Sequence, residues 1–550
     1  MTLAPAQPAR ANRGQTWHLA VLVALLGLAF LLGCFPMGDF DVWWHLRTGQ
    51  LILERGEVPR TDWFTYTNAT RPWIDVYWLF QIGIALLFRV GGASALVLLK
   101  AACATAIVAL SLVARRRGGK TWPIVVAWLP AVVMLTGRLC ERPELFSLLF
   151  LGGFLTVLGR ASERPRWLWF LPAIQILWVN CHGFFVLGPL VLAAYIAEFL
   201  LDRRWPPATA VPRPPIKQVL LVSGATLVAI LVNPYGTKAV TLPLEQFHKL
   251  GSTGIYRANI GELKTIGDFV VQAGINNPYL LAYFAVLVLG IVTFVLQRRC
   301  GRPSVFRLLL FAASAYLGWQ ATRNSALFAL VAAFVIAWNL DEVADSKFVA
   351  VKASNKESNK ASTKARRTGK QIPAQRNLDP VLLAAIVVLG VVTASGGLYA
   401  WAGENRTVGF GERTQWYAHD ACAFLARPEL PERIVAFNIS QAAVCIAHTA
   451  PAHKEFMDPR LELNTQETFE RYLDGLRKLW RGQPDWEAPL GIDYTRPDQV
   501  PALLIERGVL GRAADVLAKD PRWRRVYADP VAVVFVTTGF AEAHGIAAVR

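Results

Sequence analysis

Charged residues are scarce in this chain of 550 amino acids. Asp, Glu, Lys and Arg make up 17% of it, well below the roughly 25% of a soluble domain. Hydrophobic residues make up 54%, and the mean hydropathy is +0.35. Basic residues exceed acidic ones by 57 to 39, and most charges lie at the ends of long apolar runs. This distribution excludes a soluble enzyme, a disordered protein and a nucleic-acid-binding protein, and it predicts a polytopic membrane protein.

Cysteines are also few, and their spacing indicates neither a metal site nor a disulfide scaffold. The seven include no CxxC pair and no Cys/His ligand spacing. We therefore expect them to be small apolar residues in or near membrane spans. A glycine-rich phosphate loop is missing too, so no nucleotide is expected. The sequence predicts no cofactor and no metal site.

Long apolar runs predict eleven membrane-spanning helices, since a span needs about 20 apolar residues. They cover residues 17–36, 93–114, 121–137, 143–160, 166–181, 183–201, 216–234, 278–297, 303–321, 324–340 and 379–401. Basic clusters flank the spans, among them Arg115-Arg116-Arg117 and the segment 343–378, which holds nine Lys/Arg against two Asp/Glu. Because cytoplasmic loops are rich in Lys and Arg, we expect the N-terminus inside and the C-terminal region outside the cytoplasmic membrane of a bacterium.

Four regions follow from this topology, and together they predict a mainly α fold. Residues 1–341 form a membrane core, with an outer loop at 37–92 in which residues 73–90 lie as an interfacial helix. Residues 342–378 are basic and low in complexity, which predicts a flexible cytoplasmic linker. After a last span at 379–401, residues 402–550 mix strand and helix patterns, which predicts a small α/β domain on the outer face.

Polar and ionisable side chains gather on the outer side of this predicted helical bundle, where the bilayer makes them costly unless they function. The candidates are Asp39, Asp41, His45, Lys100, Arg138, Arg142, Glu144, Asn180, His182, Glu262 and Arg323. Lys100 lies within a span, roughly 10 Å below its outer boundary. Asp41 and His45 are one helical turn apart, which suits a general base, although a helix-capping Asp beside interfacial aromatic residues explains the pattern too.

The arginines of this set have two interpretations. Arg138 and Arg142 end a pair of spans, and two guanidinium groups there are suited to hold a phosphate by bidentate hydrogen bonds. An Arg/Glu network that holds two helix ends together is the alternative. Asp39-Phe-Asp41 resembles a metal-binding DxD pair, but it offers only two carboxylates.

Seven motifs in the first 330 residues carry a family resemblance. They are Asp39-Phe-Asp41-Val-Trp-Trp-His45-Leu-Arg-Thr-Gly, Val58-Pro-Arg-Thr-Asp62-Trp-Phe-Thr-Tyr, Pro72-Trp-Ile-Asp75, Arg142-Pro-Glu144-Leu-Phe-Ser, Trp178-Val-Asn180-Cys-His182-Gly, Asn233-Pro-Tyr235-Gly and Arg323-Asn324-Ser-Ala-Leu-Phe. In this order they resemble the bacterial integral-membrane proteins of the GT-C glycosyltransferase class. Better-understood relatives, such as protein O-mannosyltransferases and lipid A aminoarabinose transferases, use a lipid-phosphate-linked sugar and an Asp of the first outer loop as base. They commonly have an Asp-Glu pair there, whereas Asp39 and Asp41 have no adjacent Glu.

The resemblance implies a membrane enzyme that moves a sugar from a polyprenyl-phosphate donor to a lipid or protein glycan acceptor outside the cytoplasm. In this hypothesis Asp41 or Asp39 deprotonates the acceptor hydroxyl, which attacks the anomeric carbon with inversion, and His45 orients the carboxylate. Arg138, Arg142 and Lys100 neutralise the departing lipid phosphate. The remaining candidates are expected to contact substrate: Glu144, Asn180, His182, Glu262 and Arg323. Membrane lipids are expected partners, and nucleic acid is not.

Two other functions remain open from the sequence. A transporter or lipid flippase would typically have internal repeats and polar sites near the bilayer midplane, whereas the polar groups here gather at one face, with Lys100 the main exception. A non-catalytic scaffold for envelope assembly would use the outer domain and keep the bundle as an anchor.

Overall fold

The computed structural model describes residues 9–115, 119–204, 213–252, 254–299, 301–361 and 377–549. Over these ranges the chain forms a mainly helical bundle followed by a small domain with a mixed sheet, which confirms the predicted fold class.

Sixteen helices form the apolar part of the described chain. They are α1 (Ala9–Gly33), α2 (Asp41–Arg55), α3 (Trp78–Ala114), α4 (Thr121–Thr136), α5 (Glu144–Arg160), α6 (Phe170–Val179), α7 (Leu187–Arg204), α8 (Ile216–Ala229), α9 (Thr237–Ser252), α10 (Gly254–Asn259), α11 (Ile266–Ala273), α12 (Pro278–Arg298), α13 (Val305–Gln320), α14 (Ser325–Ala361), α15 (Asp379–Ala394) and α16 (Gly397–Trp401). Short 3₁₀ turns precede α6, α7 and α14, and another lies between α10 and α11.

A helix occupies each of the eleven predicted spans. Within the described residues, five helices are long and apolar enough to cross a membrane: Gln15–Gly33, Trp78–Ala114, Gly183–Arg204, Pro278–Arg298 and Thr322–Asp345. Shorter apolar helices cover Thr121–Thr136, Ile216–Ala229 and Asp379–Ala394. The chain is therefore a multi-pass membrane protein.

Two predicted boundaries differ in the structure. The interfacial helix and the second span are joined in α3, which is kinked at Gly91 and Gly92. Gly92 has a φ of +57°, a backbone conformation that favours a residue without a Cβ atom. Residues 73–77, predicted as helix, form a loop instead. The Asp75 carboxylate accepts a hydrogen bond from Tyr77 N at 3.1 Å, and because this local bond competes with helix formation, α3 begins only at Trp78.

The predicted linker is described only in part. Helix α14 continues through residues 342–361, the first part of the segment predicted to be flexible. The rest of that segment, apart from its last two residues, lies outside the described residues.

The C-terminal part is the predicted α/β domain. Its elements are α17 (His419–Leu425), β1 (Arg433–Ala436), α18 (Ile439–Thr449), β2 (Lys454–Glu455), α19 (Gln466–Arg481), β3 (Ala502–Glu506), α20 (Arg507–Ala518), β4 (Trp523–Ala528), β5 (Ala532–Thr537) and α21 (Thr538–Ala543). The strand order is β2-β1-β3-β5-β4, in which β1 is parallel to β2 and β3, whereas β5 is antiparallel to β3 and β4.

A disulfide in this domain corrects the prediction for the cysteines. Cys422 of α17 is bonded to Cys445 of α18. The pair is 23 residues apart in the chain, and only the packing of the two helices brings the sulfur atoms together. Three of the remaining described cysteines, Cys34, Cys103 and Cys181, are buried and free, as expected of small apolar residues.

The domain is fastened to the outer loop by backbone and ion-pair contacts. Tyr66 N donates to Glu455 O at 3.0 Å, and Glu455 N donates to Phe64 O at 2.9 Å, so the loop extends the edge of the sheet. Asp62 forms a fully buried ion pair with Arg460 at 2.6 Å. The domain therefore fixes the loop that leads into α3.

Candidate functional site

The connection between α1 and α2 is held from the C-terminal side. Met37 N donates to Gly411 O at 2.8 Å, and the Trp416 indole donates to Gly38 O at 2.9 Å. The Tyr417 hydroxyl donates to Asp39 O at 3.0 Å. These contacts fix the backbone at the point where the two predicted carboxylates begin α2.

Asp39 and Asp41 both form ion pairs with Arg142, so three of the predicted site residues lie together. The environments of the two carboxylates differ. Asp39 is almost fully buried, and both its oxygens are occupied: Oδ1 accepts from Asp41 N at 2.8 Å and Oδ2 accepts from Arg142 Nε at 2.6 Å. Asp41 Oδ2 lies 3.1 Å from Arg142 Nη2, and 23% of its side chain is exposed. No described residue donates to Asp41 Oδ1. Asp39 therefore positions the turn, and Asp41 keeps an oxygen available for a substrate.

Arg142 and Arg138 also share a third carboxylate. Glu262, in the turn between α10 and α11, accepts from Arg142 Nη1 at 3.0 Å and from Arg138 Nη2 at 2.9 Å. Both interpretations of the arginines thus find support, because the network joins two helix ends and also gathers positive charge at one place.

The surroundings of this cluster shift the pKa values of two of its carboxylates in opposite directions. Burial raises the pKa of Asp41 to about 7; Arg142 opposes this shift, and the charges of Asp39, Glu262 and Glu462 reinforce it. Burial acts in the same direction on Glu262, but the surrounding guanidinium groups outweigh it and lower the pKa to about 2. At neutral pH, Glu262 is a fixed negative charge, whereas Asp41 can take up or release a proton.

A narrow cleft at the protein surface adjoins this network. Its lining combines three guanidinium groups and one carboxylate with an apolar wall: Arg138, Cys140, Arg142, Glu144, Leu145, Leu148, Phe184, Arg323, Ala326 and Leu327. Arg323 forms no hydrogen bond or ion pair with any described residue, and its Nε atom is buried without a partner. A cleft with free guanidinium hydrogens beside apolar side chains is suited to an anionic headgroup with an aliphatic tail.

Solved structures share the overall architecture of the chain. An oligosaccharyltransferase from Archaeoglobus fulgidus, in its apo form, matches 95% of this chain and 75% of its own, with a TM-score of 0.51 and 12% identity. The chain has a GT-C-like fold. ArnT from Cupriavidus metallidurans, solved bound to undecaprenyl phosphate, matches 96% of this chain and 98% of its own, with a TM-score of 0.48 and 13% identity. No protein-family model matches the sequence, and no curated protein matches it significantly.

The GT-C-like fold confirms the fold class that the motifs predicted, whereas two predicted site residues, Lys100 and Asn180, have partners away from the cleft. Lys100 is fully buried, lies 2.7 Å from Glu141 and donates to Phe35 O at 3.0 Å. Asn180 accepts from the Trp78 indole at 2.8 Å and donates to two backbone carbonyls. These contacts leave neither side chain facing the cleft, since packing and hydrogen bonding use their polar atoms.

The two predicted histidines are buried among aromatic rings. His45 Nδ1 lies 3.2 Å from Gln81 Nε2, and among the described residues no side-chain contact joins His45 to Asp41, so the expected pair of side chains does not form. His182 Nδ1 lies 2.7 Å from the Ser147 hydroxyl. Burial lowers the pKa of both rings, that of His182 to about 3, so both are neutral at physiological pH.

Two acidic residues, Asp75 and Glu462, are not among the candidate site residues taken from the sequence. Gln81 Nε2 donates to Asp75 Oδ1 at 3.2 Å and lies 3.2 Å from His45 Nδ1 of α2, and the charge of Glu462, from the C-terminal domain, helps burial to raise the pKa of Asp41. Asp75 stands in one of the motifs that carried the resemblance, which was a usable signal. Glu462 had none, because a carboxylate in a polar domain is ordinary. Within the described residues, no group of three His, Cys, Asp or Glu side chains is arranged to hold a metal ion.

Proposed function

We propose that the chain is a membrane glycosyltransferase that moves a sugar from a polyprenyl-phosphate donor to an acceptor hydroxyl. One observation carries the proposal: a half-buried carboxylate with a free oxygen, Asp41, contacts an arginine that lines a cleft with apolar walls. The GT-C-like fold is compatible with this activity, and the contacts around Asp41 support it independently of the fold.

In the proposed reaction Asp41 accepts the proton of the acceptor hydroxyl. The acceptor oxygen forms the new bond to the anomeric carbon, and the bond from that carbon to the phosphate oxygen breaks. The electron pair leaves with the lipid phosphate, and attack from the opposite face inverts the carbon. A pKa of about 7 makes Asp41 a stronger base than an ordinary carboxylate and leaves it largely ionised just above neutral pH.

The arginines of the cleft divide the remaining work. Arg142 has its nitrogens directed at three carboxylates, so we assign it to positioning Asp41. Arg323, which no described residue engages, and Arg138 are assigned to the phosphate. Glu144 lines the same cleft and is assigned to the sugar. Fixed positive charges stabilise the phosphate as it departs, without reorganisation of water.

We place the site on the outer face, with the donor approaching from the outer leaflet of the cytoplasmic membrane. Two observations support this placement. Basic clusters lie at the opposite helix ends, and the Cys422–Cys445 disulfide suits an oxidising compartment. The N-terminus is then inside and the C-terminal domain outside.

Replacing Arg323 tests the phosphate assignment. Arg323→Gln should weaken binding of undecaprenyl phosphate by about 10- to 100-fold, because a hydrogen bond from a charged group is lost. The dissociation constant is measured on the detergent-solubilised protein, together with transfer of a radiolabelled sugar in reconstituted vesicles. Arg166→Gln, on an exposed residue beyond the far end of α5, is the matched control and should bind normally. Unchanged affinity in Arg323→Gln contradicts the assignment.

The pH dependence of transfer tests the base. Asp41 is protonated below its pKa of about 7 and then cannot accept a proton. We expect kcat/KM to fall about tenfold per pH unit below pH 7 and to level off above it. Transfer rates between pH 5 and 9 measure this profile, and the residual activity of Asp41→Asn should lack the acid limb. A flat profile from pH 5 to 8 would show that Asp41 is not the base.

A further inference from the structure

Lys100 and Glu141 form an ion pair inside the helical bundle that the proposed reaction does not use. The Lys100 ammonium lies 2.7 Å from Glu141 Oε1, and 0% and 3% of the two side chains are exposed. Taking two charges out of water is costly, so an apolar pair in the same place would often be equally stable or more stable. Ionisable groups inside a membrane bundle therefore indicate a role other than stability.

Lys100, in α3, also holds the connection between α1 and α2. Its ammonium donates to Phe35 O at 3.0 Å and lies 3.4 Å from the centre of the Phe35 ring. Phe35 precedes Asp39 by four residues and Asp41 by six. The lysine therefore fixes the start of the segment that carries the proposed base.

Glu141 belongs to the connection between α4 and α5, which carries the arginine that contacts the base. Arg142 is the next residue, and its guanidinium lies 2.6 Å from Asp39 and 3.1 Å from Asp41. The Glu141 side chain extends to Lys100 in the bundle, whereas that of Arg142 extends to the two carboxylates. One lysine thus joins the segment of the base to the segment of its arginine.

The separation of these two segments matters at the ångström scale. The contact between Arg142 and Asp41 measures 3.1 Å, and a donor and an acceptor more than about 3.5 Å apart no longer form a hydrogen bond. A misplacement of about 1 Å can lower the rate of an enzyme about 10²-fold even when its cause lies away from the reacting atoms. A link that fixes one segment against the other is therefore expected to affect the reaction without touching the substrate.

We propose that Lys100 and Glu141 are positioning residues, whose ion pair holds the α1–α2 connection against the α4–α5 connection and so keeps Arg142 at the Asp41 carboxylate. The link itself is a feature of the fold, whereas its consequence for sugar transfer rests on the proposed function. Both side chains act from inside the bundle, and neither is among the residues that line the cleft. This role replaces the predicted contact of Lys100 with the lipid phosphate.

The ionisation of Asp41 depends on its distance from Arg142. Burial raises the pKa of Asp41, and Arg142 opposes this rise. The other charges that act on Asp41 raise its pKa and come from Asp39, Glu262 and Glu462. An opposite charge this close lowers the pKa of a carboxyl group by about 1 or more. If Arg142 moves away, the pKa of Asp41 should therefore rise, and the acid limb of the transfer profile should move up with it.

Three variants and a control test the link. Lys100→Met and Glu141→Gln each break the ion pair, and the double variant Lys100→Met with Glu141→Leu removes both charges, so that neither is left buried without a partner. Arg115→Met is the matched control, because it breaks an ion pair at the other end of α3, where Arg115 Nε lies 2.7 Å from Asp341 Oδ2. The full chain in nanodiscs is titrated by infrared difference spectroscopy, with Asp41→Asn identifying the Asp41 band. Transfer of a radiolabelled sugar is measured in vesicles over the same pH range.

We expect the titration midpoint of Asp41 to rise by about one pH unit in all three variants and to stay unchanged in the control. The value of kcat/KM at pH 6 should then fall about tenfold, since one pH unit on the acid limb is a factor of ten. A direct effect of charge would differ in sign, because removing a cation raises the pKa of a carboxyl group and removing an anion lowers it.

Three results would overturn the positioning role: midpoints that move in opposite directions in the two single variants, a normal midpoint in the double variant, or an equal shift in the control. The double variant decides the matter if the single variants fail to fold. The two proposals fail separately. Shifted midpoints in a chain whose wild type transfers no sugar contradict the proposed function alone, and normal midpoints in a chain that transfers sugar overturn the positioning role alone.

Discussion

Asp41→Asn should lower sugar transfer by about 10²- to 10⁴-fold, the usual contribution of a general base. The amide has the size of the carboxylate and can stay near Arg142, which lies 3.1 Å from Asp41, but it cannot take the acceptor proton. Transfer of a radiolabelled sugar from lipid carrier in reconstituted vesicles measures the loss. Insertion and undecaprenyl phosphate binding should persist, since Arg323 is untouched.

Two companion variants make this result specific. Asp39→Asn should lower sugar transfer less than Asp41→Asn, because Asp39 is buried and both its oxygens already accept hydrogen bonds within the protein. His45→Gln should lower sugar transfer least of the three, since the imidazole ring contacts Gln81 and not the Asp41 carboxylate. If Asp41→Asn transfers at the wild-type rate while Asp39→Asn does not, the base is Asp39. Normal transfer by both would refute the glycosyltransferase mechanism.

The grouping of these charged side chains at one end of the bundle was predictable, because a bilayer leaves few places for charges. Asp41, Arg142 and Glu262 are far apart in the chain, yet each lies close to the end of a helix. Helix ends on one side of a membrane converge, so the sequence order alone brings these residues to one face. Their partners inside that face depend on side-chain packing, which no spacing rule provides.

Two predicted site residues, His45 and Lys100, have partners that the sequence did not predict. His45 does lie one turn into α2, as the helical spacing predicts, but α3 supplies its partner through Gln81. Lys100 was rightly singled out as a charge within a span, and Glu141 neutralises it there. In both cases the helix was predicted correctly, and the contact came from a neighbouring element whose rotation the sequence does not define. The charge of Glu462 acts on Asp41 from a domain that folds back onto the loop before α3, which no spacing in the sequence indicates.

Arg460 joins that domain to the outer loop, and removing it should destabilise the protein by about 3–5 kcal/mol. Its guanidinium lies 2.6 Å from Asp62 and donates from Nε to Asp458 at 2.9 Å, with all three side chains fully buried. Its charge also lies over the Trp73 and Phe64 rings, at 4.4 and 4.7 Å. In Arg460→Met, the apolar stem remains, but two buried carboxylates lose their counter-charge.

An exposed ion pair in the same domain provides the control. Arg496 lies 4.0 Å from Asp493 with both side chains more than half exposed, so Arg496→Met should cost less than about 1 kcal/mol. Unfolding of both variants is followed in detergent at several pH values. Protonation removes the charge of the carboxylates that have lost Arg460. The loss of unfolding free energy in Arg460→Met, relative to wild type, should therefore become smaller as the pH falls, whereas the loss in the control should not change with pH. If Arg460→Met unfolds like the control, the ion pair does not hold the domain on the loop.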